Sequence, residues 1–387
     1  MKGSVLCLLL TTSYKLKMKK IGIITLSASD NCGSLLQTFA LQSVLKERYG
    51  YDVEIINFIS RESDRVYRMF PDNFYLHPKK TFFTIKHFLS IYRQRKGYQL
   101  FRERYLNLTQ EIYTNVEKMQ EICNNYDVLI AGSDQVWNIN MADFSTAFFL
   151  PWKGTARKIA YAASLGATKN ILGKEKNRIK LWLEDFYAVS VRETMGKSTL
   201  EDLGIKNISV TADPTLLVSQ ETWNEILPER LIESEYIFYY SWSYPDKEMH
   251  NLVREFGKSK KLDVYVINSS KWYNFRPKDF CFKLYKDSGP LVFLNLMKHA
   301  KYVFVQSFHG VVFANIFKKS YFLLNEKENG AVDFRIQHLI TSLCQQNRIV
   351  HDMAGINNSI DSEINFSSEE FLKLIRTSFE FMDKNIL

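Results

Sequence analysis

The chain of 387 residues is 46% hydrophobic and 14% aromatic, with only 16 glycines and 8 prolines. This composition is typical of a globular protein rather than a disordered one, and the length favours two domains over one. The net charge of +9 favours an anionic partner, namely nucleic acid, a membrane surface or a phosphorylated small molecule, although a lysine-rich solvated surface explains it equally well.

The five cysteines are scattered, without a Cys-x-x-Cys pair (Cys7, Cys32, Cys123, Cys281 and Cys344). We therefore expect neither a disulfide framework nor a structural zinc site, and a reducing cytoplasm fits this pattern. No stretch approaches the roughly 20 apolar residues needed to span a bilayer. The run Val5–Leu10 resembles a truncated signal segment without a cleavage site, so residues 1–17 are predicted to lie outside the fold.

A βαβ unit is predicted near the N-terminus. The apolar runs Ile21–Leu26 and Val53–Phe58 are predicted strands, and Leu35–Tyr49 has apolar residues at helical spacing. The polar loop from Ser27 to Ser34 lacks the Gly-x-Gly-x-x-Gly dinucleotide fingerprint. It can still present N–H groups and Asx side chains to a ligand.

Residues 61–125 interrupt this alternation and are predicted to form a helical insertion. Between Lys79 and Arg104, aromatic residues are interleaved with basic ones. An amphipathic helix pair whose aromatic side chains pack on the domain is the ordinary explanation. The alternative is a surface that rests weakly on anionic lipid headgroups, which would place the protein at the inner face of the membrane.

Strand signals then resume in two series, with helices between most of them (Tyr126–Ala131, Lys158–Ala162, Ala188–Val191 and Ile208–Val210; then Tyr236–Tyr240, Asp263–Ile267, Tyr302–Val305 and Tyr321–Leu324). Two such series predict an α/β fold of two Rossmann-like, doubly wound domains that face each other across a cleft. The predicted boundaries are 18–214 and 215–350. A helical tail, 351–387, contains an amphipathic segment that would return to the first domain.

The segment Gln306–Gly310 carries the strongest functional signal. It lies between a predicted strand and an apolar helical stretch, where open α/β sheets bind ligands outside the carboxyl ends of their strands. The N-terminus of the following helix suits a phosphate or carboxylate. His309 would exchange a proton near neutral pH beside such an anion, whereas the alternative is a packed histidine at a turn.

Two further strand ends carry polar side chains. The segment Gly132–Gln135 offers a hydroxyl, a carboxylate and an amide to one small volume, as recognition of sugar hydroxyls requires, although an ordinary turn would have the same composition. Arg192 ends another predicted strand and suits bidentate capture of carboxylate or phosphate. Its alternative role is a surface pair with Glu193, which would contribute little.

Six segments in order resemble the polysaccharide pyruvyl transferase family (Asn31–Gln37 with Ala40-Leu41, Gly132–Trp137, Tyr161–Gly166, Ser190–Glu193, Asp213–Leu217 and Ser307–Gly310). The resemblance extends from about residue 20 to about residue 350. It implies a GT-B-like fold with an acceptor side in the N-terminal domain and a donor side in the C-terminal domain. It also implies transfer from phosphoenolpyruvate, a co-substrate, to a glycan sugar as a pyruvate ketal in surface or capsular polysaccharide biosynthesis, without cofactor or metal.

The resemblance matches His309 and Arg192 to the family's donor site, and the chemistry of the implied reaction suggests the other roles. His309 is the candidate general acid, and Asp134 the carboxylate beside the attacking hydroxyl. The expected donor site comprises Arg192, Ser307, Phe308, Gly310 and Arg335, and the expected acceptor site Asp30, Asn31, Gly33, Ser133 and Gln135. Some members carry an arginine where this chain has Ser307, so that Lys271, Arg276 or Arg335 would have to replace one anion contact.

Two other functions stay compatible with the sequence. A GT-B glycosyltransferase that uses a nucleotide sugar would share the architecture. A non-catalytic anion-binding protein would explain the net charge, but the basic residues cluster in one insertion and no recognised nucleic-acid motif is present, so nucleic acid is not an expected partner. The expected partners are phosphoenolpyruvate and a glycan acceptor, with a lipid carrier as an open alternative.

Overall fold

The computed structural model describes residues 18–70, 74–166, 175–241, 247–270, 272, 276–324 and 332–386. The predicted N-terminal extension, 1–17, and Lys271 lie outside these residues. In the described ranges, strands β1 to β6 form one parallel sheet (Lys20–Ile24, Asp52–Ile55, Val128–Asp134, Arg157–Ala163, Ala188–Val191 and Ser209–Val210). Strands β7 to β12 form a second (Tyr236–Tyr240, Asp263–Ile267, Phe282–Tyr285, Tyr302–Val305, Ser320–Leu324 and Ile349–Val350).

Helices connect most of these strands. Helices α1 to α8 accompany the first sheet and the linker to the second (Cys32–Glu47, Arg61–Tyr67, Pro78–Lys86, Phe88–Tyr105, Ile122–Asn125, Lys176–Leu183, Thr194–Glu201 and Gln220–Glu225). Helices α9 to α14 follow (Lys247–Lys260, Pro290–His299, Phe308–Ile316, Phe334–Ser342, Met353–Ile360 and Glu369–Ile386). Short 3-10 turns lie at Phe74–Leu76, Val116–Met119, Thr146–Phe149, Pro214–Leu216, Pro277–Phe280 and Gln346–Arg348.

The strand order reverses once in each sheet. The first sheet has the order β2-β1-β3-β4-β5-β6, and the second has the order β12-β11-β10-β7-β8-β9. The direction of winding therefore changes between β1 and β3 in the first sheet, and between β7 and β10 in the second. A crevice forms at the carboxyl ends of the strands at such a switch point, which is the usual place for a ligand.

Strand side chains alternate between two separately packed faces. In β3, Val128 and Ile130 belong to one apolar core, whereas Leu129 and Ala131 belong to another on the opposite face. The first core continues into the second sheet and includes Phe238 of β7, and a third core covers the other face of that sheet. Both sheets are thus covered on two faces, which confirms the doubly wound α/β class predicted from the sequence.

Helix α14 returns to the first sheet, as its amphipathic pattern predicts. The hydroxyl of Ser378 accepts a hydrogen bond from the backbone N–H of Ala212 at 2.8 Å. The ring of Phe381 lies 6.2 Å from that of Tyr161 in β4.

Helix α4 contacts the helices of both sheets. The Tyr98 hydroxyl lies 3.4 Å from the Sγ atom of Cys32 in α1. On its other side, Gly97 packs on the loop that precedes α10, and a Cβ atom built on Gly97 would lie 1.9 Å from the carbonyl oxygen of Ser288. A glycine is required here because the two backbones touch directly.

The aromatic residues of the insertion, which contains α2 to α5, divide into two groups. Tyr98 and Phe101 are buried, but Phe82, Phe88 and Tyr92 are 69%, 42% and 47% exposed. Packing on the domain therefore accounts for part of the set only. None of the described helices has both the length and the apolar character that a membrane span requires.

Two edge strands, β9 and β12, are absent from the sequence-based prediction. Strand β12 has two residues, and in β9 both Lys283 and Leu284 are exposed. Neither strand has the buried apolar run that identifies the central strands, because an edge strand packs on few neighbours.

Two helices begin earlier than their apolar patterns indicate. Asn31 and Ser307 cap α1 and α11 by accepting hydrogen bonds from backbone N–H groups. Gly33 and His309 consequently lie in the first helical turn, not in the preceding loop. This places both residues at helix N-termini.

Candidate active site

A cavity of about 310 Å³ lies where the two switch points meet. Its wall includes Asn31 after β1, Asp134 at the end of β3, Tyr240 at the end of β7 and Ser307 after β10. Eight residues of the predicted site line it (Asn31, Gly33, Asp134, Gln135, Ser307, Phe308, His309 and Arg335). Residues predicted for the acceptor side and for the donor side thus share one cavity.

Three helices begin at this cavity. Asn31 caps α1 by accepting a hydrogen bond from the N–H of Gly33 at 2.8 Å, Ser307 caps α11 through the N–H of Gly310 at 3.0 Å, and Asp333 caps α12. The positive ends of three helix dipoles therefore converge on the cavity. Such an arrangement favours an anionic ligand.

The imidazole of His309 lies between Asp213, in the segment after β6, and Gly33, in the first turn of α1. Its Nε2 atom is 3.5 Å from Oδ2 of Asp213, and its side chain is 12% exposed. On the Nδ1 side the ring abuts Gly33, where a Cβ atom would lie 2.1 Å from Nδ1. Asp213 therefore lies beside Nε2, and the ring occupies the space that a side chain at position 33 would fill.

Arg192 lies beneath the cavity and does not line it. Its Nη1 atom is 2.6 Å from Oδ2 of Asp213, its Nη2 atom is 3.5 Å from Oδ1 of Asp134, and its side chain is 2% exposed. The ring of Phe308 lies 4.4 Å from the guanidinium carbon. The predicted direct donor contact does not fit this geometry, because the guanidinium lies outside the cavity wall, where two carboxylates pair with it. The alternative surface pair with Glu193 is wrong, since both side chains are buried.

Two carboxylates beside His309 stay ionised despite their burial. Burial raises the pKa of Asp134, but Arg192 and His309 outweigh that effect and lower it below the ordinary value. Burial likewise opposes ionisation of Asp213, yet His309 and Arg192 hold its pKa well below the usual range. At Glu193 burial prevails and raises the pKa, although Arg192 is close. The site therefore holds two negative groups around the imidazole.

Arg335, in the first turn of α12, lines the cavity. Its side chain is 12% exposed, and its Nε atom lies 2.8 Å from Oδ1 of Asp333. Of the other two cations that could replace the arginine absent at position 307, Arg276 is 67% exposed and does not line the cavity, and Lys271 lies outside the described residues. The described geometry therefore favours Arg335 for this contact.

Three other predicted residues support the cavity without lining it. The carboxylate of Asp30 accepts two hydrogen bonds of 3.1 Å from Arg102. Ser133 is fully buried and donates to Asp213 at 3.4 Å, and the N–H of Gly310 is used in the cap of α11. The ligand contacts predicted for these residues do not fit the structure, because their polar groups are already engaged below the surface.

Asp134 has an unusual backbone conformation. Its φ of 63° lies in the left-handed region that residues other than glycine seldom adopt. This turn at the end of β3 brings its carboxylate to Ser34, whose hydroxyl donates to Oδ2 at 2.6 Å. The next residue, Gln135, lines the cavity and accepts a hydrogen bond from Asn138 at 2.9 Å. Acceptors for hydroxyl hydrogens thus lie on this wall.

Sequence reasoning did not assign Asp213, Ser34 or Tyr67 to the site. Asp213 lies three residues after the end of β6 and precedes a proline, so its position after a strand is an available signal. Ser34 lies within the segment Asn31–Gln37, whose pattern gives it no separate role. Tyr67 belongs to α2 in the insertion and donates to Asp143 at 2.8 Å, and no local pattern indicates that it reaches the cavity.

Together these groups provide the parts of a proton-transfer site for an anionic ligand. The helix N-termini and Arg335 can hold an anion, His309 can donate a proton beside it, and Asp134 can accept a hydrogen bond from a hydroxyl. Within the described ranges, no three His, Cys, Asp or Glu side chains are grouped as metal ligands would be.

Comparison with known proteins identifies both a family and a fold. A sequence model of polysaccharide pyruvyl transferases matches residues 31–327, which include Asp134, Asp213 and His309. No curated protein matches the chain significantly.

Several solved UDP-N-acetylglucosamine 2-epimerases are similar in structure. The enzyme from Methanocaldococcus jannaschii has a TM-score of 0.55 and 13% identity, covering 94% of this chain and 99% of its own. The Neisseria meningitidis enzyme bound to UDP-GlcNAc has a TM-score of 0.54 and 11% identity, covering 95% and 100%. The putative enzyme from Listeria monocytogenes has a TM-score of 0.53 and 11% identity, covering 95% and 89%. At such identities these likenesses show the fold alone, which is a GT-B-like α/β fold.

Proposed function

This chain belongs to the polysaccharide pyruvyl transferase family, and we propose that it transfers the enolpyruvyl group of phosphoenolpyruvate to a glycan sugar as a pyruvate ketal. The product would serve surface or capsular polysaccharide biosynthesis. The observation that carries the proposal is the placement of His309. Its ring lines a cavity surrounded by helix N-termini, with Asp213 beside Nε2 and the glycine at position 33 making room for the ring on the Nδ1 side.

The size of the cavity supports a small donor. Its volume of about 310 Å³ is at the lower end of the range for ligand sites, about 300–1,000 Å³. A three-carbon phosphate uses such a space better than a nucleotide sugar does. The three helix N-termini and Arg335 would hold the donor's phosphate and carboxylate.

Proton transfer from His309 would begin the reaction. The imidazolium gives its proton to the methylene carbon of phosphoenolpyruvate, and the adjacent carbon becomes an oxocarbenium-like centre. A sugar hydroxyl adds to that centre and loses its proton. The bond to the phosphate oxygen then breaks with its electron pair, phosphate leaves, and a second hydroxyl adds with loss of its proton to close the cyclic ketal.

The surrounding residues would position this chemistry. Because Asp213 lies beside Nε2, this assignment gives proton delivery to Nδ1. Asp134 accepts a hydrogen bond from the attacking hydroxyl, with its carboxylate kept ionised by Arg192. In this assignment Arg192 orients two carboxylates, and the direct anion contact passes to Arg335.

Incubation with phosphoenolpyruvate and a panel of glycosides tests the proposal. Mass spectrometry should detect an added pyruvyl group on one or more glycosides, with stoichiometric release of phosphate. His309→Gln should reduce the rate of both signals by about 10²-fold or more, and His77→Gln, at an exposed histidine outside the cavity, should preserve them. Release of phosphate without a pyruvylated product would contradict ketal transfer.

A melting-temperature screen separates this function from glycosyl transfer. A ligand that binds the folded state raises the melting temperature according to its concentration and affinity. Phosphoenolpyruvate should do so, whereas UDP-sugars should not. The opposite result would favour a GT-B glycosyltransferase that uses a nucleotide sugar.

A further inference from the structure

Exposed apolar side chains are concentrated on the insertion. Of the 16 large apolar side chains exposed in the described part of the chain, 10 lie between Val66 and Leu100. Phe82, Ile85 and Leu89 are 69%, 61% and 71% exposed. Scattered apolar residues are ordinary on a protein surface, but a contiguous group marks an interaction site.

One face of helix α4 combines apolar and basic residues. Five exposed residues follow the helical repeat, each three or four positions from another member of the set (Leu89, Tyr92, Arg93, Lys96 and Leu100). Residues at this spacing share one side of a helix. We refer to these five residues as the α4 face.

The charge of this region is strongly positive. The segment from Lys79 to Arg104 contains eight lysines and arginines and a single acid, Glu103, so it holds seven of the nine net positive charges of the chain. The rest of the sequence is therefore close to neutral. The excess charge and the exposed apolar residues coincide in one place.

A groove of about 930 Å³ lies between the α4 face and the second sheet. Its opposite wall includes Leu231, Leu284 and Leu291, together with Lys286 and one acid, Asp287. The groove is thus largely apolar between basic side chains. A hydrocarbon chain with an anionic head matches this distribution.

We propose that the α4 face and its groove dock on a membrane surface that contains anionic lipids. The apolar side chains would enter the interface, and the basic ones would contact lipid phosphates. A second copy of the chain fits less well, because two surfaces of the same positive charge repel each other. Nucleic acid also fits less well, since exposed Leu and Ile side chains have no counterpart on a phosphate backbone.

Vesicle co-sedimentation of the full chain tests this proposal without donor or acceptor, so its outcome is independent of the transferase assignment. The protein should sediment with phosphatidylcholine vesicles that contain phosphatidylglycerol, but much less with phosphatidylcholine alone. High salt should release it. The double variant Arg93→Gln/Lys96→Gln should bind about 25-fold more weakly, since each basic residue near an anionic surface contributes about fivefold.

Matched variants distinguish docking through the α4 face from nonspecific electrostatic or hydrophobic binding of the protein to vesicles. Leu89→Ser should reduce binding at low salt, whereas Leu181→Ser, which alters a side chain 67% exposed elsewhere, should not. Lys206→Gln is the matched charge control. Melting temperatures identify any variant that fails to fold.

Three results would overturn the proposal. The first is a wild-type protein that does not sediment with anionic vesicles at low salt, and the second is equal binding to neutral vesicles. The third is a wild-type protein that does not bind vesicles but forms a dimer in solution, which Leu89→Ser dissociates. That result would assign the α4 face to a second copy of the chain.

Discussion

Replacing Gly33 by alanine should displace the imidazole of His309 while leaving the fold intact. The new Cβ atom would lie 2.1, 2.6 and 2.8 Å from Nδ1, Cγ and Cε1 of that ring. Carbon atoms in contact settle at about 3.5–4.0 Å, so the ring has to retreat by roughly 1 Å or more. Because Gly33 is helical, alanine itself introduces no backbone strain and can favour the folded state slightly.

The expected effect is on turnover. A shift of about 1 Å in a reacting group can reduce the rate by about 10²-fold, which corresponds to ~2.7 kcal/mol in the barrier. Phosphate release with phosphoenolpyruvate and a responsive glycoside measures kcat directly. The histidine ¹H–¹³C spectrum gives a readout that needs no acceptor, since the His309 signal, identified by its loss in His309→Gln, should move.

Gly355→Ala provides the matched control. It also lies in the first turn of a helix, α13, but the nearest atom to its added Cβ would be Oδ1 of Asp352 at 3.4 Å, an ordinary contact. Its kcat and melting temperature should stay near wild type. If Gly33→Ala also has a normal kcat and an unmoved His309 signal, the ring does not rest on Gly33 and the proposed proton delivery is wrong.

Three further substitutions follow from the site. His309→Gln should lower kcat by about 10²-fold or more with little change in melting temperature, because glutamine has no titrating proton; normal phosphate release would make His309 structural. Arg335→Lys should raise KM for phosphoenolpyruvate but not for the acceptor, since an ammonium cannot replace a planar fork; unchanged kinetics would remove Arg335 from the donor site. Asp213→Asn should cost roughly 3–5 kcal/mol of stability at neutral pH, because Arg192 loses the nearer of its two buried carboxylate partners. Because the pKa of Asp213 is lowered in the folded state, its contribution to the free energy of unfolding is complete above the pKa of the unfolded state and is lost as pH falls through the folded value. The free energies of unfolding of wild type and variant, measured in urea, should therefore converge in acid. A difference that stays constant with pH would refute the pairing.

Much of the fold could be predicted because the central strands are buried on both faces. Apolar runs such as Val128–Ala131 in β3 and Val303–Val305 in β10 are recognised without knowledge of their neighbours. The edge strand β9 could not be recognised, because Lys283 and Leu284 face solvent. Helix starts were displaced for a related reason, since the caps at Asn31 and Ser307 are made by polar residues outside the apolar pattern.

The sequence predicts which strand ends carry site residues, but not how deeply each side chain is buried. His309 and Asp134 follow strands, and position alone indicates that they approach the cavity. Arg192 also follows a strand, yet the sequence does not show that Asp213 and Asp134 hold it below the surface. The pairing of Asp213 with His309 joins residues from distant parts of the chain, so no local pattern contains it.

The backbone contact between Gly97 and Ser288 has a mechanical consequence for the cleft. Helix α4 touches the second sheet's half there without an intervening side chain, so no change of rotamer can absorb a sliding motion at that point. A hinge rotation meets least resistance when its axis passes through the contact that cannot slide. In any rotation of one half against the other, this contact would be the natural pivot.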